Sequence, residues 1–196
     1  VTTNDKYAGL FGYLGNFNNA AATVKNVVMD GIQITCNHRS GYAGGVAGFS
    51  WGTIENCSVS GSVSGTVYVG GVVGAQIDGS ITGCSSSATV KGTVDVGGVA
   101  GQTNSSATLT ACYATGNVTL EIDPKKNIAG GGLVGMNAGS SLLACYATGN
   151  VTSTGSSTGY VHIGGFLGNN YANVMTACYW KNNHEQGIGY NKKSTE

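Results

Sequence analysis

The chain has 196 residues, among them 34 glycines, one proline and six cysteines, and its nine basic and nine acidic side chains cancel to a formal net charge of zero. With Arg39 the single arginine there is no basic stripe for phosphates and no charge to dock on a membrane, so nucleic acid and membrane surfaces are excluded as expected partners. No apolar run approaches the ~20 residues of a membrane-spanning helix, and the wealth of Val, Ile, Thr, Ser and Gly favours strands and turns over helices.

The opening VTTNDKY has neither an initiator Met nor a signal-peptide pattern, which reads as a processed or excised piece. AGLFG at 8 to 12 follows, apolar and with little chain before it. It is the degenerate first copy of a motif that returns as GGVAG at 44 to 48, GGVVG at 70 to 74, GGVAG at 97 to 101, GGLVG at 131 to 135 and GGFLG at 164 to 168. Counted from the second glycine of each full copy, Cys57, Cys84, Cys112, Cys145 and Cys178 follow by 12, 13, 14, 13 and 13 residues. In the first copy, ATVKNVVMDG at 22 to 31 aligns with ATLTACYATG at 107 to 116, which puts Val27 at the cysteine position and leaves Cys36 outside the column. The phrase ACYATGNVT stands at 111 to 119 and again, letter for letter, at 144 to 152. The last copy abandons it for CYWKNNHEQGIGY at 178 to 190 and a polar tail.

Repeats of 26 to 36 residues, made of short β-branched runs punctuated by glycine, suit one coil of a solenoid and are too short for a propeller blade. The expected fold is all-β: one parallel β-solenoid (β-helix) domain over residues 1 to 196, about six coils long, with a cap or tail at about 178 to 196. Right-handed crossovers dominate parallel β connections, so a right-handed coil is expected. Equivalent residues then form ladders along the axis with strand spacing near ~4.8 Å. Three interior columns are readable: Ile54, Ile81, Leu109, Leu142 and Met175; the five cysteines; and Val63, Val90, Val118 and Val151. Gly45, Gly71, Gly98, Gly132 and Gly165 are expected where a coil turns or where the opposite wall comes close. A phosphate-cradling reading lacks the Lys-Ser/Thr pair and the helix it needs.

The repeated GG-V/L-x-G signal, the ACYATGNVT phrase and the closing ACYWKNNHEQGIGY resemble the GLUG-motif repeats of bacterial surface proteins, over nearly the whole chain. The resemblance implies large secreted or wall-attached proteins, including adhesins and the noncatalytic portions of immunoglobulin A peptidases. It implies an extracellular or cell-surface, modular, nonenzymatic role and carries no catalytic residues to any position here.

Weighed singly, the chemistry-bearing residues point the same way. Cysteines in adjacent rungs are farther apart than the ~3.8 Å between Cβ atoms that a disulfide prefers, so the column reads as reduced thiols acting as small hydrophobes. No C-x-x-C pair supports a zinc site, and no cofactor motif is present. Asp95 and His162 share a column, but Ala129 intervenes and two rungs, about 10 Å, separate them, which is too far for direct proton exchange. His38, His162 and His184 read as solvated surface residues, and no catalytic constellation is expected.

Candidate contacts with a partner remain on the surface. Tyr113, Tyr146 and Tyr179, with Trp180 beside the last, should stack as an aromatic ladder able to meet sugar rings or protein if exposed. Insertions at LEIDPKKN, 120 to 127, carrying Lys125 and Lys126, and at TSTGSSTGY, 152 to 160, lie at one place on successive coils. The sequons at Asn117 and Asn150 belong to the repeat and suit stacked turns better than glycosylation. The column Glu55, Thr82, Thr110, Leu143, Thr176 is too mixed for an ice-binding face. The expected function is an extracellular adhesion or spacer module with a host or cell-surface protein or glycan as partner. The alternatives are a fibre subunit that self-associates end to end and a carbohydrate-binding or glycan-modifying β-helix.

Overall fold

The computed structural model describes residues 1 to 16, 22 to 172, 174 to 181 and 186 to 192. Among them there is no helix. Strands of two to nine residues pair in parallel and assemble into four sheets that form the walls of a solenoid of about six coils.

One coil shows the plan. Tyr68–Gly70 lies on wall one, Val73–Gln76 on wall two, Ser80–Thr82 on wall three, and Ser85–Ser86 with Thr89–Gly92 on wall four. Asp95–Gly97 then begins the next coil in register with Tyr68–Gly70. Every wall repeats this, so a sequence offset of one period becomes a step of one rung. His184 and much of the tail expected at about 178 to 196 lie outside the described residues. Within that span Ile188–Asn191 adds a further rung to wall two against Leu167–Asn170.

The columns read from the repeats are the registered core. Val24, Ile54, Ile81, Leu109, Leu142 and Met175 pair one to the next on wall three. Ile34, Val63, Val90, Val118 and Val151 do so on wall four. Most of these side chains are fully buried, each contributing about 1.5–3 kcal/mol by leaving water. The double glycines are placed by close approach. None of Gly45, Gly71, Gly98 or Gly132 has a positive φ, and a Cβ on Gly98 would overlap the Gly132 carbonyl oxygen and the Ala114 side chain of wall four. The left-handed residue sits one place before the cysteine position instead. Asn26, Asn56, Gly83, Ala111, Ala144 and Ala177 all adopt φ between 51° and 61° and turn wall three into wall four.

A polar column runs inside the apolar core at the end of wall two. Ser50, Gln76, Thr103, Asn137 and Asn170 are buried in register and lead to Asn191. Asn137 Nδ2 donates to Asn170 Oδ1 at 3.0 Å, and Asn170 Nδ2 to Asn191 Oδ1 at 2.8 Å. Each asparagine amide both donates and accepts, so that part of the column is buried with its groups paired, whereas Gln76 Oε1 is buried with no hydrogen-bond partner among the described residues.

Candidate functional site

The outer face of the first half of wall four carries the tyrosine ladder. Val28, Ser58, Ser85, Tyr113, Tyr146 and Tyr179 occupy successive rungs of one outward column. The ring centroids of Tyr113 and Tyr146 are 4.8 Å apart with planes 1° from parallel. Both rings are partly exposed, and Tyr179 is 67% exposed. Trp180 belongs to the neighbouring inward column, following Ala114 and Ala147, and its ring packs where a Cβ on Gly187 would clash. It remains 45% exposed.

Two hollows flank this stack along the wall. One, of about 320 Å³, opens between Tyr113 and Val28 over the serine rungs and includes Asp30, Ser58, Ser60 and Ser85. The other, of about 310 Å³ and almost wholly apolar, is formed by Tyr146, Tyr179, Trp180 and Lys181 with the backbone between them. Neither includes Lys125 or Lys126. Those lysines lie on the insertion between walls four and one, where Lys126 pairs with Asp123 at 3.6 Å and the Lys125 amide donates to Asp123 Oδ1 at 3.0 Å. The two insertions brace each other: Thr158 Oγ1 donates to the Pro124 carbonyl at 2.9 Å and Ser157 Oγ to the Lys126 carbonyl at 2.8 Å. The structure therefore joins the tyrosines to one another and sets the lysines apart from them.

Walls one and two enclose a second group of aromatic and polar side chains. Tyr7, Tyr42, Tyr68, Asp95, Ala129 and His162 are successive rungs of wall one. His162 is not the solvated residue expected from the sequence. It is half-buried between Tyr160 at 4.5 Å and Tyr190 at 5.0 Å, both nearly parallel to it, and its Nδ1 is 2.6 Å from Asn169 Oδ1. Tyr190 belongs to the rung after His162, so Tyr160 lies on the Ala129 side. It reaches there from the second insertion and stands in for the ring that Ala129 lacks. Asp95 is 5% exposed, with no hydrogen bond to its carboxylate among the described residues, and burial pushes its pKa up to about 7. Its negative charge would also raise the Tyr68 hydroxyl, which burial raises first. His38 is half-buried, and its Nδ1 accepts from the Ser40 amide at 3.1 Å.

All six cysteines are free thiols, and five of them are buried. Along the column each Sγ donates to the carbonyl two residues before it and to one on the preceding coil, as Cys112 does to Thr110 and Ile81 at 3.3 Å. Burial pushes Cys84 up to about 12. Interaction between the neighbouring Cys112 and Cys145 side chains favours loss of the first proton from Cys145 and drives Cys112 far above the ordinary thiol range. Cys36 is buried apart from them, its Sγ donating to the Asp5 carbonyl at 3.2 Å. Among the described residues no three His, Cys, Asp or Glu side chains come together as a metal site, and no helix is long and apolar enough to cross a membrane.

The buried polar column of wall two and the Asp95 slot were not foreseen from the repeats. The first had a legible signal, since the residue two after each third glycine is Ser50, Gln76, Thr103, Asn137 and Asn170 in successive copies. The second depends on two walls closing over each other and on a loop returning.

Two successive stretches, residues 40 to 64 and 65 to 91, match the family model described as the GLUG motif, and each spans close to one coil. No curated protein and no solved structure matches the chain.

Proposed function

We propose that this GLUG-repeat chain is a nonenzymatic adhesion or spacer module of an extracellular, bacterial cell-surface protein, in which the stacked coils supply reach and one lateral wall supplies contact. The observation that carries this reading is the outer face of wall four, where partly exposed tyrosines stand in register between two hollows on an otherwise close-packed ladder. Exposed, ordered aromatic groups flanking a hollow are what a partner surface needs, because they bury area at little cost in side-chain entropy.

Beads coated with the chain, flowed over host-cell monolayers and over glycan and protein arrays, test it. Retention that Tyr146→Ala together with Tyr179→Ala weakens supports the reading. Release of reducing ends from a polysaccharide would replace it with a glycan-modifying enzyme. A carbohydrate partner is favoured over a protein one by the hollow beside Tyr113, where hydroxyl groups and a ring face converge.

A further inference from the structure

We infer that the hollow between Tyr113 and Val28 is a subsite for one neutral pyranose ring of a glycan, an assignment that rests on the carbohydrate reading just given. The ladder itself marks the place. Tyr146 covers one face of Tyr113, while the register sets Ser85 and then Ser58 against the other, so the aromatic column breaks off for two rungs, about 10 Å along the axis. Those two rungs are the floor of the hollow of about 320 Å³. A sugar ring entering it continues the stack, its C–H face laid on the open face of Tyr113.

The polar groups choose the ring. Ser58, Ser85 and Ser87 bring hydroxyls that both donate and accept, as sugar hydroxyls do. Asp30 Oδ1 accepts the Ser60 hydroxyl at 2.5 Å, which leaves its second oxygen for a sugar hydroxyl. A flat aromatic ligand would cover Tyr113 yet leave these groups unmatched. Among the described residues Asp30 is also the one charged residue lining the hollow, so a uronic or sialic acid would meet a carboxylate there with no lining cation to offset it.

The test is an NMR titration of the 196-residue chain with neutral tetrasaccharides of glucose, galactose or N-acetylglucosamine, and with tetragalacturonate as the acidic probe. A neutral probe is expected to move the Tyr113 ring and Ser85 amide resonances, and the acidic probe to leave them unmoved. Ser85→Tyr fills the vacant rung from the chain itself, so it should keep the fold and lower affinity at least tenfold. Tyr113→Phe should bind as the parent does, and Tyr113→Ala should lose the shifts. Equal affinity in Ser85→Tyr would overturn the subsite while leaving glycan binding elsewhere on the module standing. Failure of every neutral probe would overturn both, and the bead-retention assay would then decide whether adhesion to protein survives. Tetragalacturonate shifts at Tyr113 would refute the neutral-sugar assignment.

Discussion

Asn137 hands its amide hydrogen to Asn170 Oδ1 at 3.0 Å while its own Oδ1 takes the Ser140 amide at 2.8 Å and the Ser140 hydroxyl at 2.7 Å. One side chain thus satisfies partners on its own coil and ties it to the next, in a place with no access to water. From Thr103 to Asn191 the column of wall two works as a polar spine within an apolar core, where a missing member strips a hydrogen bond from the rung beside it.

Asn137→Ala should therefore cost about 2–4 kcal/mol, since each stranded buried group costs roughly 1–3 kcal/mol. The urea midpoint of the variant should fall with its slope unchanged. A loss below half a kcal/mol would mean that water reaches the spine.

The left-handed corner makes the opposite prediction. Ala144 is exposed and sits at φ 54°, a region that costs a residue with a Cβ roughly 1–2 kcal/mol. Ala144→Gly removes that strain and gives back part of the gain as unfolded-state entropy, for a net stabilisation of about 0.5–1 kcal/mol. Thermal melts of this variant should move upward, and those of Ala144→Val downward.

Close packing, by contrast, makes the double glycine intolerant. Gly98→Ala must push the Gly132 backbone or Ala114 aside and should cost at least the 1–3 kcal/mol typical of overpacking. At Gly31, where φ is +62° and a Cβ meets nothing within 4 Å, the same change should cost only about 1 kcal/mol of backbone strain. Denaturation of the two variants side by side checks that the penalty follows space rather than φ.

Asp95 gives a pH dependence of definite sign. Its pKa rises from 3.8 to about 7 on folding, so between those values the native chain holds a proton that the unfolded chain has lost. Stability from this residue is full below pH 3.8, falls as pH rises to 7, and is then constant at a loss of at most about 4 kcal/mol. Asp95→Asn should abolish that part of the profile and be the more stable protein at pH 8. Equal slopes for the two proteins between pH 4 and 7 would show that Asp95 is ionised throughout.

Thiol accessibility should follow the column. Cys178 is only half-buried while the other five are enclosed, so iodoacetamide should modify Cys178 first in the native state and all six after denaturation. Mass mapping that finds Cys84 or Cys112 modified as fast as Cys178 would place the coils in exchange with open forms.

The period, the cysteine column with its Val27 exception, the Ile/Leu and Val columns and the positions of the tight glycines were all determined by the sequence alone. A solenoid makes this possible because parallel in-register pairing turns each repeat offset into one rung, so a column in the alignment is a column in space. Whether the double glycines serve a turn or a close approach was left open, and the structure decided for approach because the Ala114 side of wall four stands against them. It also decided what the period cannot express: the burial of Asp95, the return of Tyr160 to the Ala129 rung and the packing of the Trp180 ring against Gly187. These depend on how far apart different walls stand and on where loops of unequal length come back. Such distances are set by packing between elements that share no register.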